Sequence, residues 1–528
     1  MGPKSPQATG EPRLAGILAA LSLISDLSRS RPAEEAMNAT LVAVMLARAK
    51  GLSEHDAAAV YYTTLLRSVG CTATSHEYSA LYGDDLAARG QGDAIDVRNP
   101  REVFPFLWRM SSTQANTSHL RAFATVVGKG RQAASDGARA DCEVGARMAG
   151  RFGLDPTVQQ GILGVFERWD GRGGPNGLAG EQISQAARFA AVAYSFVMFA
   201  ADVGPRAASG RIQRWAGASL DPSIVGALAG DLDSAASLLD VADTWRSVVD
   251  AEPGPHPTVT EAQLDEIALA FADGVDLKSP WLHGHSSGVA NLAATAAAAL
   301  GMPPDEIGRV RRAGLFHDIG RAGISTQIWD KPGPLTTAQW EQVRLHPYHT
   351  DRILNRCPSL APLAGLASMH HERLDGSGYF RTAPAGMQDR AARVLAAADA
   401  YHALTENRPY RPAFPPDEAA RQLEAQALDG EAVRAVIEAA GGKASRRSSS
   451  RPAGISDREL DVLRLLVRGS SEKDIARRLF ISAATVHSHV AHIYEKAAVS
   501  TRAGLAMFAM ENDLVRPGDT PTTPPRIN

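Results

Sequence analysis

Apolar residues recur every three to four positions through most of this chain, the spacing of amphipathic helices rather than the alternation of strands. Ala/Leu-rich helical patterns separated by Gly/Pro breaks fill residues 13–250. AEPGPHPTV (251–259) interrupts them, because its prolines and glycine cannot continue a helix. The pattern resumes at Glu261 and runs to about Ala440. GGKASRRSSSRP (441–452) reads as a flexible basic linker. Beyond it, Leu460, Leu463, Leu466 and Val467 keep helical spacing, and a compact helical segment is predicted to about Val515. Residues 1–12 and PGDTPTTPPRIN read as loose ends. The most apolar stretch, Phe189–Ala201, falls well short of the roughly 20 residues that cross a bilayer and predicts a buried core helix.

Composition narrows this picture. Alanine runs and an aromatic fraction of 6% favour an all-α protein. The 528 residues imply about three or four domains. The three cysteines, Cys71, Cys142 and Cys357, form no CxxC pair, which argues against a disulfide framework and a Cys-rich zinc site and fits a reducing cytosol. The N-terminus lacks the basic-then-apolar plan of a signal peptide. A cytoplasmic protein without a membrane segment is expected. The net charge of -3 excludes a wholly basic nucleic-acid binder. That charge is uneven: residues 443–528 carry 14 Lys/Arg against 9 Asp/Glu, leaving +5 there and -8 in the remainder, an asymmetry suited to a nucleic-acid footprint.

The chain also repeats itself. LLRSVGCTATS (65–75) and LFHDIGRAGIS (315–325) share Leu, Gly and Ser at an offset of 250, and the same offset pairs Gly51 with Gly301. FERWDGRGGP (166–175) matches HERLDGSGYF (371–380) at an offset of 205. The difference of 45 places an insertion in the first copy, roughly HEYSALYGDD through REVFPFLW. Two related helical domains follow, 13–250 and 260–440.

The second copy carries a metal-ligand pattern: His285, the tandem His317-Asp318, His346, the tandem His370-His371, and Asp399. Imidazole and carboxylate together suit divalent iron, manganese or zinc. A carboxylate after a ligating histidine can span two ions, and two ions can acidify a shared water and clamp a phosphodiester.

DLKSPWLHGHSSGVA, GLFHDIGRAGI, WDKPGPLTTAQWEQVRLHP, MHHERLDGSGY and RVLAAADAYHALTENRPYR follow one another over residues 276–411. This segment resembles the HD-GYP family of HD-superfamily phosphohydrolases. The resemblance implies an all-helical fold, hydrolysis of cyclic di-GMP or a related nucleotide messenger, and two divalent ions, iron or manganese. The implied ligands are His285, His317, Asp318, His346, His370, His371 and Asp399, with Asp318 bridging and catalytic. Trp281 stands where trinuclear members have Glu, which favours two ions. Arg321 stands for the usual phosphate-binding Lys, keeping the charge with a different geometry. Arg408 and Arg411 are further substrate-binding candidates, with structural roles equally open to them. Phe380 replaces the proline of the name-giving Gly-Tyr-Pro, which is expected to free its loop. At the corresponding positions the first copy has Glu35, Arg67-Ser68, Val165-Phe166 and Tyr194, so neither metal nor hydrolysis is expected there.

In the last segment Ser456 and Glu459 have the capping-box spacing, and Ser482 precedes a helix AATVHSHVAHIYEKA. Residues 454–510 resemble the LuxR-type DNA-binding domain. The resemblance implies a helix-turn-helix whose third helix enters the major groove of double-stranded DNA, and a homodimer through the last helix. Thr485, His487, Ser488 and His492 are expected at the groove, and Arg477, Arg478 and Lys496 at phosphates. His487 and Ala491 replace family lysines, so affinity is expected either to be modest or to rise as pH falls through the histidine titration.

The predicted architecture is all-α: a degenerate HD-GYP-like bundle (13–250), a metal-bearing one (260–440), a linker (441–453) and a helix-turn-helix domain (454–515). The predicted function is a metal-dependent phosphodiesterase coupled to transcription regulation. The alternative is a transcription factor whose HD domains sense a nucleotide with little or no hydrolysis.

Overall fold

The computed structural model describes residues 11–96, 99–112, 118–441 and 452–515. The expected loose ends and most of the linker lie outside the described residues. Among the described residues the fold is all-α, with no strand beyond isolated bridges such as Arg13 with Thr258.

The sequence repeat reappears as repeated geometry. Helices Glu35–Ala49 and His285–Ala299 both have 15 residues and start 250 apart. Pro156–Leu163 and Ala361–Ala367, then Gln185–Val203 and Arg390–Leu404, start 205 apart. Gly70 and Gly320 occupy equivalent close approaches. A Cβ on Gly70 would meet the Asp141 carbonyl oxygen at 2.0 Å, and one on Gly320 would meet that of His346 at 2.0 Å. These contacts identify Asp141 as the first copy's counterpart of His346, a correspondence the insertion hides in the sequence.

Two carboxylates also recur. Asp26 accepts from the Ala36 N–H at 3.3 Å, and Asp276 from the Ser286 N–H at 2.8 Å, each tying down the start of the helix that carries the first ligand position. Glu167 accepts from the amides of Asn176 and Leu178 at 2.7 and 3.1 Å. Glu372 accepts from those of Arg381 and Ala383, both at 2.7 Å. Buried Glu372 therefore holds the loop after Phe380, which the missing proline was expected to free.

Helix Gln185–Val203 is long and apolar enough to cross a membrane by length and composition, but it packs between Glu35–Ala49 and Glu54–Leu65 with Phe196 and Phe199 fully buried. The copies meet along His119–Arg151 and Glu261–Asp276, where the Phe152 and Phe271 rings stack at 5.1 Å. The insertion folds into helices, among them Ser75–Tyr82 and Asp85–Gly92, that reach the second copy.

The last domain has four helices: Asp457–Val467, Glu472–Leu479, Ala483–Ala497 and Arg502–Glu511. Ser456 and Glu459 make the reciprocal capping box. The last helix is buried from Gly504 to Met510 and packs on His119–Arg151. Arg147 Nε contacts Glu511 at 2.7 Å, and Arg151 joins Glu266 at 2.6 Å and Asp273 at 2.8 Å in the second copy. The surface expected to pair two chains is thus covered within this chain.

Candidate metal centre

Five helices converge on one buried cluster. Helix His285–Ala299 contributes its first residue, and Pro304–Phe316 ends just before His317-Asp318. Helix His346–Asn355 also begins on its ligand candidate. His370-His371 follow Ala361–Ala367, and Asp399 lies within Arg390–Leu404. A histidine at a helix terminus can turn its ring inward while the helix backbone fixes its position.

All seven expected ligands come together, in two sets divided by Asp318. Its Oδ2 stands 3.5 Å from His285 Nε2 and 2.9 Å from His317 Nε2. Its Oδ1 stands 3.4 Å from His346 Nε2 and 3.5 Å from His370 Nε2. Asp399 spans the cluster, with Oδ1 3.4 Å from His285 Nε2 and Oδ2 3.6 Å from His371 Nδ1.

The ring nitrogens facing away are already engaged. Nδ1 of His317, His346 and His370 lies 2.7, 2.6 and 2.7 Å from the carbonyls of Gly314, Val343 and Ala367. These partners fix the tautomer that leaves Nε2 as a lone-pair donor. His285 Nδ1 is instead 2.9 Å from Glu406, whose other neighbours are Arg408 Nη2 at 2.7 Å and His402.

Five of the inward atoms lack such partners, while Nε2 of His346 and of His370 face each other at 3.0 Å. His285 Nε2, His317 Nε2, both oxygens of Asp318 and Asp399 Oδ1 are buried without an aligned hydrogen bond. Burial without a partner is costly for such groups, and a pair of divalent cations fits this donor set of imidazoles and shared carboxylates. The titration directions agree. Burial alone would raise the Asp318 and Asp399 carboxyls, but Arg321 beside the first and His285 beside the second hold them well below the usual range. Burial pushes His346 and His371 well below the ordinary imidazole value, keeping them neutral donors. Among the described residues, every cluster of His and carboxylate donors that could hold an ion lies here.

A cavity of about 700 Å³ opens beside the cluster, lined by Trp281, Arg321, Trp329, Tyr379, Arg408 and Tyr410 among others. Arg321 lies over the Trp329 ring at 4.3 Å, with Nη1 2.7 Å from Asp318 Oδ2 but not aligned as a hydrogen bond. Arg408 reaches the cavity. Arg411 spends its guanidinium on the carbonyls of Ala403, Leu404, Glu406 and Pro412, a structural use. Glu406, Glu372 and Asp276 were not singled out in the sequence. They touch the site only through other residues, and no local motif marks that.

In the first copy an arginine stands amid the equivalent positions. Buried Arg29 donates to Ser68 Oγ at 3.0 Å and Tyr194 Oη at 2.6 Å, and lies 4.0 Å from Glu35. Those residues correspond to Asp318, Asp399 and His285. Arg67, at the His317 position, lies over Tyr194 and Phe166 at 4.5 and 5.0 Å. Burial would depress the Arg29 guanidinium, but Asp93, Tyr194 and Glu35 hold it well above its ordinary value.

On helix Ala483–Ala497, Thr485, His487, Ser488 and His492 are exposed on one face while Val486, Val490 and Ile493 are buried on the other. Arg477 and Arg478 are exposed on the preceding helix. Lys496 does not join them: its ammonium binds Glu459 at 2.7 Å and the Gly454 carbonyl at 3.0 Å.

Comparison with known proteins agrees with this layout. The HD domain family matches residues 139–224 and 270–431, parts of both copies. The luxR family of bacterial regulatory proteins matches residues 453–509. The chain is 29% identical over 415 residues to the 3'3'-cGAMP-specific phosphodiesterase 3 of Vibrio cholerae serotype O1, covering 78% of this chain and 90% of that protein. It is 36% identical over 148 residues to a cyclic di-GMP phosphodiesterase of Thermotoga maritima, covering 27% of this chain and 39% of that protein. A crystal structure of a cyclic GMP-AMP-specific phosphodiesterase of V. cholerae matches with a TM-score of 0.56 and 26% identity, covering 82% of this chain and 98% of that one.

Proposed function

This chain is an HD-domain protein that ends in a luxR-family regulatory domain, and from that premise we propose that it hydrolyses a cyclic dinucleotide, cyclic di-GMP or 3'3'-cGAMP, and couples that nucleotide to DNA binding and transcription. The observation that carries the proposal is Asp318, buried, with its two oxygens divided between two sets of histidines beside a cavity. His285, His317 and Asp399 would hold one ion and His346, His370 and His371 the other, with Asp318 between them. The pair is proposed as iron or manganese, and would supply Lewis acidity and an activated water.

The chain's own groups then bind and orient. Arg321, braced on Trp329, offers Nε and Nη1 to a phosphate oxygen. Arg408, held by Glu406, offers a second positive charge at the cavity wall. Trp281, Trp329, Tyr379 and Tyr410 give flat apolar surfaces on which purine bases stack, a contact worth about 1–3 kcal/mol per base. We divide the chain at 13–250, 260–440 and 454–515, joined by 441–453, and place the protein in the cytoplasm. The exposed face of Thr485, His487, Ser488 and His492, with Arg477 and Arg478, would meet double-stranded DNA. A homodimer would need a face other than Arg502–Glu511.

One observation favours a second reading. Arg321 contacts the same Asp318 oxygen that faces His285 and His317, and a guanidinium there competes with an ion for that carboxylate. The chain would then sense the nucleotide with little turnover. Purified protein loaded with Mn(II) or Fe(II) is to be assayed on both cyclic dinucleotides beside His317→Ala/Asp318→Ala. We expect turnover by the wild type. The variant should lose bound metal and fall by more than the roughly 10–100-fold typical of residues behind the ligands. Nucleotide binding by metal-loaded wild type without turnover would establish the sensor reading instead.

A further inference from the structure

We infer that the first copy, which lacks the ligand set, builds part of the catalytic cavity: Asp85, assisted by His76, positions the wall Ser325–Lys331 against the metal centre. Both residues come from the insertion that only the first copy has, yet their partners lie in the second.

Asp85 is fully buried. Its Oδ1 accepts from Ser325 Oγ at 3.0 Å and from the Thr326 N–H at 2.8 Å. Its Oδ2 accepts from Thr326 Oγ1 at 3.2 Å and Lys278 Nζ at 2.7 Å. Thr326–Trp329 is a helix of only four residues, and its own N-cap, Ser325, makes no capping bond. So short a helix has more unsatisfied amides than internal bonds and does not hold itself. The carboxylate of Asp85 supplies the missing cap from the other copy.

The next residues are pinned in the same way. Asp330 Oδ2 is 2.9 Å from His76 Nδ1, and its Oδ1 accepts from Ser279 Oγ at 2.7 Å. Ser279 Oγ in turn accepts from the Trp281 N–H at 3.3 Å. Trp329 and Trp281, two aromatic walls of the cavity, are therefore both set by contacts that begin in the first copy. Trp329 carries the consequence inward, since its ring supports Arg321 and lies 5.6 Å from the His346 ring. Neither Asp85 nor His76 lines the cavity, so their role is positioning, not catalysis. Simple glue between the copies would not need three of four hydrogen bonds aimed at the start of one catalytic wall.

The kinetic part of the test rests on the phosphodiesterase reading, and a second readout does not. In the full, metal-loaded chain, Asp85→Ala is paired with Lys278→Met, so that no buried ammonium is orphaned if the single variant misfolds. His76→Ala is made separately. Amide exchange at residues 325–331 should quicken about tenfold or more in the double variant, with residues 310–320 and the metal content unchanged. KM for the cyclic dinucleotide should rise about tenfold with kcat within about twofold, because a displaced wall weakens binding before it touches the ions. His76→Ala should shift both readouts in the same direction by less. Unchanged exchange at 325–331 in the folded double variant overturns the inference, as does a fall in kcat that tracks metal loss at constant KM. Absence of turnover by the wild type would count against the phosphodiesterase reading alone, and the exchange result would then decide this one.

Discussion

The two copies solve one problem with different cations. In the second, imidazoles and carboxylates turn inward, five of their atoms without an aligned hydrogen bond, a cost that a bound cation would relieve. In the first, the guanidinium of Arg29 is covalently part of the chain and sits among the residues at the His285, Asp318 and Asp399 positions. The fold evidently tolerates the loss of every ligand position provided that positive charge is kept at its centre. What distinguishes a catalytic from a structural copy is therefore not the helical frame, which the two share to the level of single glycines and glutamates. It is whether the central charge can exchange and face a cavity.

Removing the tethered cation tests this most severely. Arg29→Met would leave the partly buried Asp93 without its guanidinium and Ser68 and Tyr194 without their donor, while Glu35 keeps Arg31 at 2.7 Å. Breaking a fully buried pair costs about 3–5 kcal/mol, and the partial exposure of Asp93 sets the expected loss at about the lower end. Thermal unfolding should show a large loss of stability, while elemental analysis of the folded fraction should find the second copy's metal unchanged. A stable Arg29→Met protein would mean that the first copy does not need its central charge. A variant that lost metal from the second copy would mean that the two centres are coupled, and the comparison would have to be redrawn.

The shared glutamates make a finer test. Glu167 and Glu372 each accept two backbone N–H bonds from the loop nine to eleven residues on. Neutralising either, by Glu167→Gln or Glu372→Gln, should cost about 2 kcal/mol of stability, the range for hydrogen bonds to a charged group. Only Glu372→Gln should also raise KM, because its loop carries Tyr379 to the cavity. Equal kinetic effects would show that the first copy's loop also serves catalysis.

Much of this contrast was legible in the sequence, because it rests on local patterns. The third helix of the DNA-binding domain runs Ala483–Ala497, matching the stretch that begins after Ser482. The in-register Leu, Gly and Ser announced the repeat, and the tandem His-Asp and His-His pairs announced the cluster. The remainder depends on contacts between distant residues. Asp141 replaces His346 behind an insertion that breaks the alignment. Arg29 has no counterpart among the ligand positions, since its equivalent in the second copy is Ser279. Lys496 looked available for phosphate, but Glu459, also a cap residue, holds it 37 positions away. A capping box is visible in four residues; a second partner for its glutamate is not.

The smallest expected effect is a pH dependence that separates the first copy from an ordinary acid-labile protein. Asp26 is buried beside Glu35, and burial first, then Glu35, pushes its carboxyl up to about 8 against the opposing pull of Arg29. A raised acid has the opposite sign to a salt-bridged one. Folded Asp26 keeps its proton while the unfolded chain, titrating at the ordinary 3.8, has released it. Folding therefore takes up a proton, and the contribution is fully present below about pH 4 and is lost as pH rises through 8. Between pH 6 and 8 stability should fall by about 1 kcal/mol per pH unit from this group. Asp26→Asn keeps an oxygen for the Ala36 N–H and removes the titration, so its unfolding midpoint should fall less steeply over that range. Equal slopes in the two proteins would show that Asp26 is ionised at neutral pH. In that case Arg29 faces three carboxylates, Asp26, Glu35 and Asp93, rather than two, and the first copy's centre holds more negative charge than this one guanidinium offsets.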